Sequence, residues 1–162
     1  MSPMSKGLAS FAVAAALSSP AGAQVLTQKN VSLAMAQAIA NAAIVKCQSM
    51  GFKVSVTVLD RDGLAVVMLR GDGAGLHTPE GSDRKAYTAA AFRAPSAAFV
   101  KRMHDNPDSA GSIQYTRVLA LAGGLPIKAG DEVIGAVGVS GTPGKDDVCS
   151  QAGIDKAADQ LK

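Results

Sequence analysis

Asp60-Arg61-Asp62-Gly63 separates two short runs rich in β-branched residues, Val54 to Leu59 and Leu64 to Leu69. Gly63 supplies the positive-φ position that a tight reversal needs, so the two runs are expected to pair as an antiparallel hairpin. The segment before it carries a matching cover. From Thr27, a residue suited to an N-cap, Val31, Ala34, Met35, Ala38, Ile39, Ala42 and Val45 recur at helical spacing until Gly51 ends the run. An amphipathic helix of this kind requires a sheet to pack on.

Beyond the hairpin, the glycine-rich stretch 71–75 is too polar for a strand and leads into a second helix. Ser82 or Asp83 can cap that helix, Ala86, Ala89, Ala90 and Phe92 give it small and apolar faces, and Pro95 closes it. Ser96 opens a short helix through Met103, stopped by Asn106-Pro107. Strands are expected again at Val118 to Ala122, Leu125 to Lys128 and Val133 to Ser140, the last two joined by the turn at 129–132. A closing helix spans Asp146 to Leu161, its first two carboxylates placed favourably at the positive helix end. Hairpin-linked strands with helices before, between and after them describe a single α+β domain with an antiparallel sheet.

The first 23 residues stand apart. Lys6 supplies a positive charge, Gly7 to Leu17 form a short apolar run, and Ala21-Gly22-Ala23 has the form of a cleavage site. We read residues 1–23 as a signal peptide cut between Ala23 and Gln24, leaving 24–162 as one domain in the periplasm or secreted. The apolar run is too short to span about 30 Å of hydrocarbon, so no stable membrane span is expected.

The chain has 16 Lys and Arg against 13 Asp and Glu, with no basic block interleaved with aromatics, which disfavours nucleic acid as a partner. Its 17 glycines and many alanines imply elements packed closely through small side chains. Cys47 falls near the end of the first helix and Cys149 near the start of the last. In an oxidising compartment two thiols suggest one bridge, and if the two helices lie side by side it would close a loop of about a hundred residues, worth roughly 4 to 5 kcal/mol by the chain-entropy argument. Two separate buried thiols are the alternative. Neither CxxC nor CxxCH occurs, so covalent c-type haem attachment is not indicated.

HTPEGSDRKAYTAAAFR at 77–93, with VLDRDG and LRGDGAG before it and GGLPI and GVSG after it, resembles the GlcG/HbpS-like family of haem-binding and haem-associated domains, which is related to the PduO C-terminal domain. The resemblance runs over nearly all of residues 24–162. It implies a five-stranded antiparallel sheet flanked by helices, assembly into homo-oligomers, and a haem or other tetrapyrrole cofactor held without covalent bonds.

Few residues can carry chemistry. His77, on a glycine-rich approach to a helix, suits a haem iron ligand or a proton-transfer group, or else a loop-bracing histidine. His104 reads as an exposed helix end. Lys85 and Thr88 are neighbours on the second helix, with Tyr87 beside them, and together with His77 they are candidates to face an anionic group such as a propionate. They equally suit a surface lysine beside packing residues. Gly123 and Gly124 can admit a ligand close to the backbone or make a tight bend. Metal-hydrolase spacing, a nucleophile elbow and a phosphate loop are all missing.

Two functions from different classes follow. One is an exported small-molecule-binding protein that holds haem for uptake, buffering or sensing, with His77, Lys85, Tyr87, Thr88, Gly123 and Gly124 around the ligand. The other is an enzyme acting on a small carbonyl or carboxylate metabolite, with His77 as general acid/base and Lys85 as an electrostatic clamp. The alanine-rich faces also suit an assembly role.

Overall fold

The structure, a computed structural model, describes residues 24–162. The leader-like segment 1–23, including Ala23 of the expected cleavage site, lies outside the described residues, and Gln24 begins an exposed stretch without regular secondary structure. Helix α1 (Leu33–Ser49) is followed by the hairpin β1 (Ser55–Asp60) and β2 (Ala65–Arg70). Helices α2 (Thr78–Phe92) and α3 (Ser96–Asp105) come next, then a 3₁₀ turn (Pro107–Gln114), β3 (Gly124–Ala129), β4 (Glu132–Ser140) and α4 (Asp146–Lys156).

The sheet is antiparallel throughout, but among the described residues it has four strands in the order β2-β1-β4-β3, not five. The missing strand is the stretch expected at Val118 to Ala122. Its backbone groups are engaged by side chains of α2 instead of by a neighbouring strand. Leu119 N donates to Thr88 Oγ1 at 2.9 Å, and Val118 O accepts from the Arg84 guanidinium at 2.9 Å. Arg117 holds Asp83 at 2.8 Å as well. With its hydrogen bonds satisfied laterally, the segment has no need of a ladder.

Strand β1 is buried almost throughout, because both faces of the sheet are covered. Val56 and Val58, with Val137 and Val139 of β4, point to one face and form the main core with α1 and α4. Ser55, Thr57 and Leu59 point to the other face, under α2. There Thr57 and Ser82 share a hydroxyl contact of 2.8 Å, as do Ser55 and Thr78. Thr78 and Ser82 donate their own protons to Gly75 O and Pro79 O, so the strand hydroxyls are the donors in both contacts. α2 lies tight on the sheet. A Cβ at Gly138 would stand 2.5 Å from Ala86 N, and one at Gly124 would collide with the Lys85 carbonyl.

α1 begins at Leu33 with Ser32 as its N-cap, accepting from Met35 N at 3.2 Å, five residues later than a Thr27 cap would have started it. Its buried face runs through Met35, Ala36, Ile39, Ala40, Ala43 and Cys47. On the same sheet side, Gly153 of α4 comes against the Ile39 carbonyl. This close approach places Cys47 and Cys149 with Cα atoms 5.6 Å apart, joined as a disulfide.

Candidate functional site

A cleft of about 600 Å³ opens where the start of α2, the 141–144 loop and the residues before β3 meet. Gly75, His77 and Thr78 form one wall, Leu121 and Ala122 another, and Ser140 to Gly144 a third; Lys53 stands at the rim, and Lys85 with Asp146 makes the floor. α2 starts earlier than Ser82 or Asp83. His77 is its N-terminal flanking residue, with helical backbone angles and no side-chain cap, and Pro79 occupies a first-turn position where its missing N–H costs nothing. The imidazole of His77 is therefore not engaged in capping. It lies exposed over Gly75, where a Cβ would come 2.9 Å from its Cε1.

Lys85 is only 4% exposed. Its Nζ sits 2.7 Å from Asp146 Oδ2 and 3.3 Å from the Val139 carbonyl. The other carboxylate oxygen of Asp146 accepts from both the backbone N and the Oγ1 of Thr142, each at 2.9 Å. The Lys85–Asp146 pair thus ties α2, the end of β4, the 141–144 loop and the start of α4 together at the base of the cleft. A lysine buried this far needs such a partner.

The other expected site residues scatter. Tyr87 faces away, half-buried beneath the Arg117 guanidinium at 4.3 Å from the ring centroid, in a separate groove of about 490 Å³ lined by Phe92 and Tyr115. Thr88 is buried, donates to Arg84 O at 2.8 Å and accepts from Leu119 N. Gly123 and Gly124 lie behind the floor, where Gly123 O accepts from Ser150 Oγ and Gly124 N donates to Ser96 Oγ. They bring β3 close to Lys85 and do not line the cleft. His104 is at the surface, its ring 89% exposed. Asp146, expected as a helix-end charge, forms part of the cleft floor, and Lys53 and the 141–144 loop are lining residues that the sequence pattern does not single out. The signal available was the Gly141-Thr142-Pro143-Gly144 turn, which lies one residue before Asp146 and whose Thr142 donates to that carboxylate.

Asp147, next along α4, points toward a different recess beside Lys46 and Leu125. Burial raises its pKa; the Gly123 amide opposes this, the Asp146 charge reinforces it, and Lys85 opposes it.

Residues 31–155 match the family described as haem degrading protein HbpS-like. The chain belongs to the HbpS-like family. A crystallised double mutant of HbpS from Streptomyces reticuli is similar at 35% identity with a TM-score of 0.77, over 88% of this chain and 97% of that one. The Klebsiella pneumoniae protein ORFY is similar at 26% identity and a TM-score of 0.77, over 85% of this chain and 97% of that one. An uncharacterized 15.0 kDa protein of Citrobacter freundii, from the dhaT-dhaS intergenic region, is 32% identical over 77% of this chain and 90% of its own length.

Proposed function

We propose that this HbpS-like domain binds haem or a related tetrapyrrole non-covalently in the cleft at the start of α2, as an exported protein serving uptake, buffering or sensing. The observation that carries the reading is the exposed His77 imidazole on the wall of an open cleft of about 600 Å³, in a family described by its action on haem. The residues fit such a ligand: Leu121, Ala122 and Pro143 offer apolar contact to a flat macrocycle, and no hydrogen bond among the described residues occupies the His77 ring nitrogens. Bound haem would supply an iron centre with redox and ligand-binding chemistry. The chain's own part is to present the imidazole, shield one face of the macrocycle and hold the cleft open through the Asp146 clamp. The enzymatic alternative relied on Lys85 as an electrostatic clamp, and that ammonium is already committed to Asp146.

Export to the periplasm or beyond belongs to the same proposal, supported by the leader-like start of the sequence and by a disulfide suited to an oxidising space. Homo-oligomer formation belongs to the same proposal, supported by exposed Leu64 and Met68 on and beside β2, an edge strand of the sheet. The test is absorption spectroscopy. Haemin titrated into the purified protein should give a saturable Soret band, and His77→Ala should shift that band and weaken binding about tenfold or more, as expected when a metal ligand is lost. A wild-type titration without saturation would overturn the proposal.

A further inference from the structure

The cleft's charges indicate more about its ligand than its size does. Among the described residues Asp146 is the only acid lining it, and that carboxylate is neutralised by Lys85 at 2.7 Å while its second oxygen is filled by the two Thr142 donors. The floor is thus a closed pair, with no charge left over for a ligand. Lys53 differs. It forms no ion pair with a carboxylate among the described residues, Asp72 of the adjacent loop included. Its position is nevertheless defined. The side chain lies across Gly73, whose φ is +71°, and a Cβ at Gly73 would stand 3.0 Å from both Cδ and Nζ of Lys53. A glycine there lets the lysine fold over the loop, and Lys53 is one of the residues lining the cleft.

We infer that the cleft selects planar ligands carrying a carboxylate, and that Lys53 is the residue that reads it. This rests on the tetrapyrrole reading above and names the group that the site recognises on such a molecule. The macrocycle would lie along Leu121, Ala122 and Pro143, with one acidic arm reaching the rim at Lys53. A neutral ligand of the same shape would leave Lys53 without a partner. Because the lysine is exposed, its contribution is that of a solvated ion pair, modest and sensitive to salt.

The experiment compares haemin with its dimethyl ester, which keeps the macrocycle and iron but lacks both negative arms. Each is titrated into the full protein and into Lys53→Met and Lys53→Arg, in one buffer and cosolvent, at low and high salt. The wild type should prefer the free acid by about fivefold at low salt, the scale of an exposed ion pair. Lys53→Met should abolish the preference, Lys53→Arg should keep it, and salt should shrink it. Equal affinity for acid and ester in the wild type would overturn the inference while leaving haem binding intact. A preference that survives in Lys53→Met would overturn the role given to Lys53. Failure of both forms to bind would remove the inference together with the reading beneath it.

Discussion

The ammonium of Lys85 and the carboxylate of Asp146 meet at 2.7 Å with side chains only 5% and 10% exposed, so the ion pair at the base of the cleft is almost dry. Removing one partner from such a pair leaves the other buried without compensation, which typically costs about 3 to 5 kcal/mol. Asp146→Asn and Lys85→Met are each expected to lose stability on that scale. Replacing both as Lys85→Met with Asp146→Asn is expected to recover a large part of the loss. A double-mutant cycle by urea unfolding measures this, and additive single effects would contradict the coupling.

Cys149 lies three residues beyond Asp146 on α4, one helical turn, so the disulfide to Cys47 and the clamp on the 141–144 loop anchor the same stretch of helix. The bridge closes a sequence separation of 102 residues. Cys47→Ala with Cys149→Ala is expected to lower stability by about 4 kcal/mol, less if the unbridged chain keeps residual structure. Because the lost constraint acts at the start of α4, native-state hydrogen exchange of residues 146–150 should rise more than that of α2. An equal rise everywhere would show that the bridge acts on the unfolded chain alone.

The hairpin at 60–63 and the α+β class were legible because they depend on local signals, a turn glycine and the alternation of short elements, whereas the two cysteines allowed a bridge without deciding it, since it joins helices 102 residues apart. The start and buried face of α1 were not. In a helix so rich in alanine nearly every side is apolar, and Ala36, Ala40 and Ala43 face the core where Ala34, Ala38, Ala42 and Val45 had been expected. The supposed strand at 118–122 failed for a different reason, since the side chains that satisfy its backbone come from Arg84 and Thr88, some thirty residues away. Of the candidate site, His77 and Lys85 do border one cleft. Tyr87 falls on another side because it stands two helical positions from Lys85, about 200° around the axis, and Asp146 became visible only once the chain folded back.

The fit of α2 against the sheet rests on two glycines, at Gly124 and Gly138, whose added Cβ atoms would meet backbone of the helix and not movable side chains. Gly138→Ala is expected to destabilise the protein by about 1 to 3 kcal/mol or more, as overpacking does. It should also alter the cleft, since lifting α2 moves His77 and Lys85 together. A variant with unchanged unfolding midpoint and unchanged haemin titration would show that the helix can yield at no cost.

Asp147 gives a prediction in the opposite direction. Its carboxyl is held above the ordinary value of 3.8, chiefly by burial, and one of its oxygens is enclosed without a hydrogen-bond partner. At neutral pH both the folded and the unfolded chain carry this charge, and only the folded chain bears the cost of desolvating it. As pH falls through the raised folded value, the folded chain takes up a proton that the unfolded chain still lacks, so this group's contribution becomes more favourable until pH passes the unfolded value. Asp147→Asn should therefore be more stable than the wild type near neutral pH, with the difference shrinking on acidification and vanishing below about pH 3. Comparing the two proteins at each pH cancels the other carboxylates, whose titration they share. Thermal melts across that range read the difference directly, and an Asn variant less stable than the wild type at neutral pH would mean that the Gly123 amide and Lys85 outweigh burial.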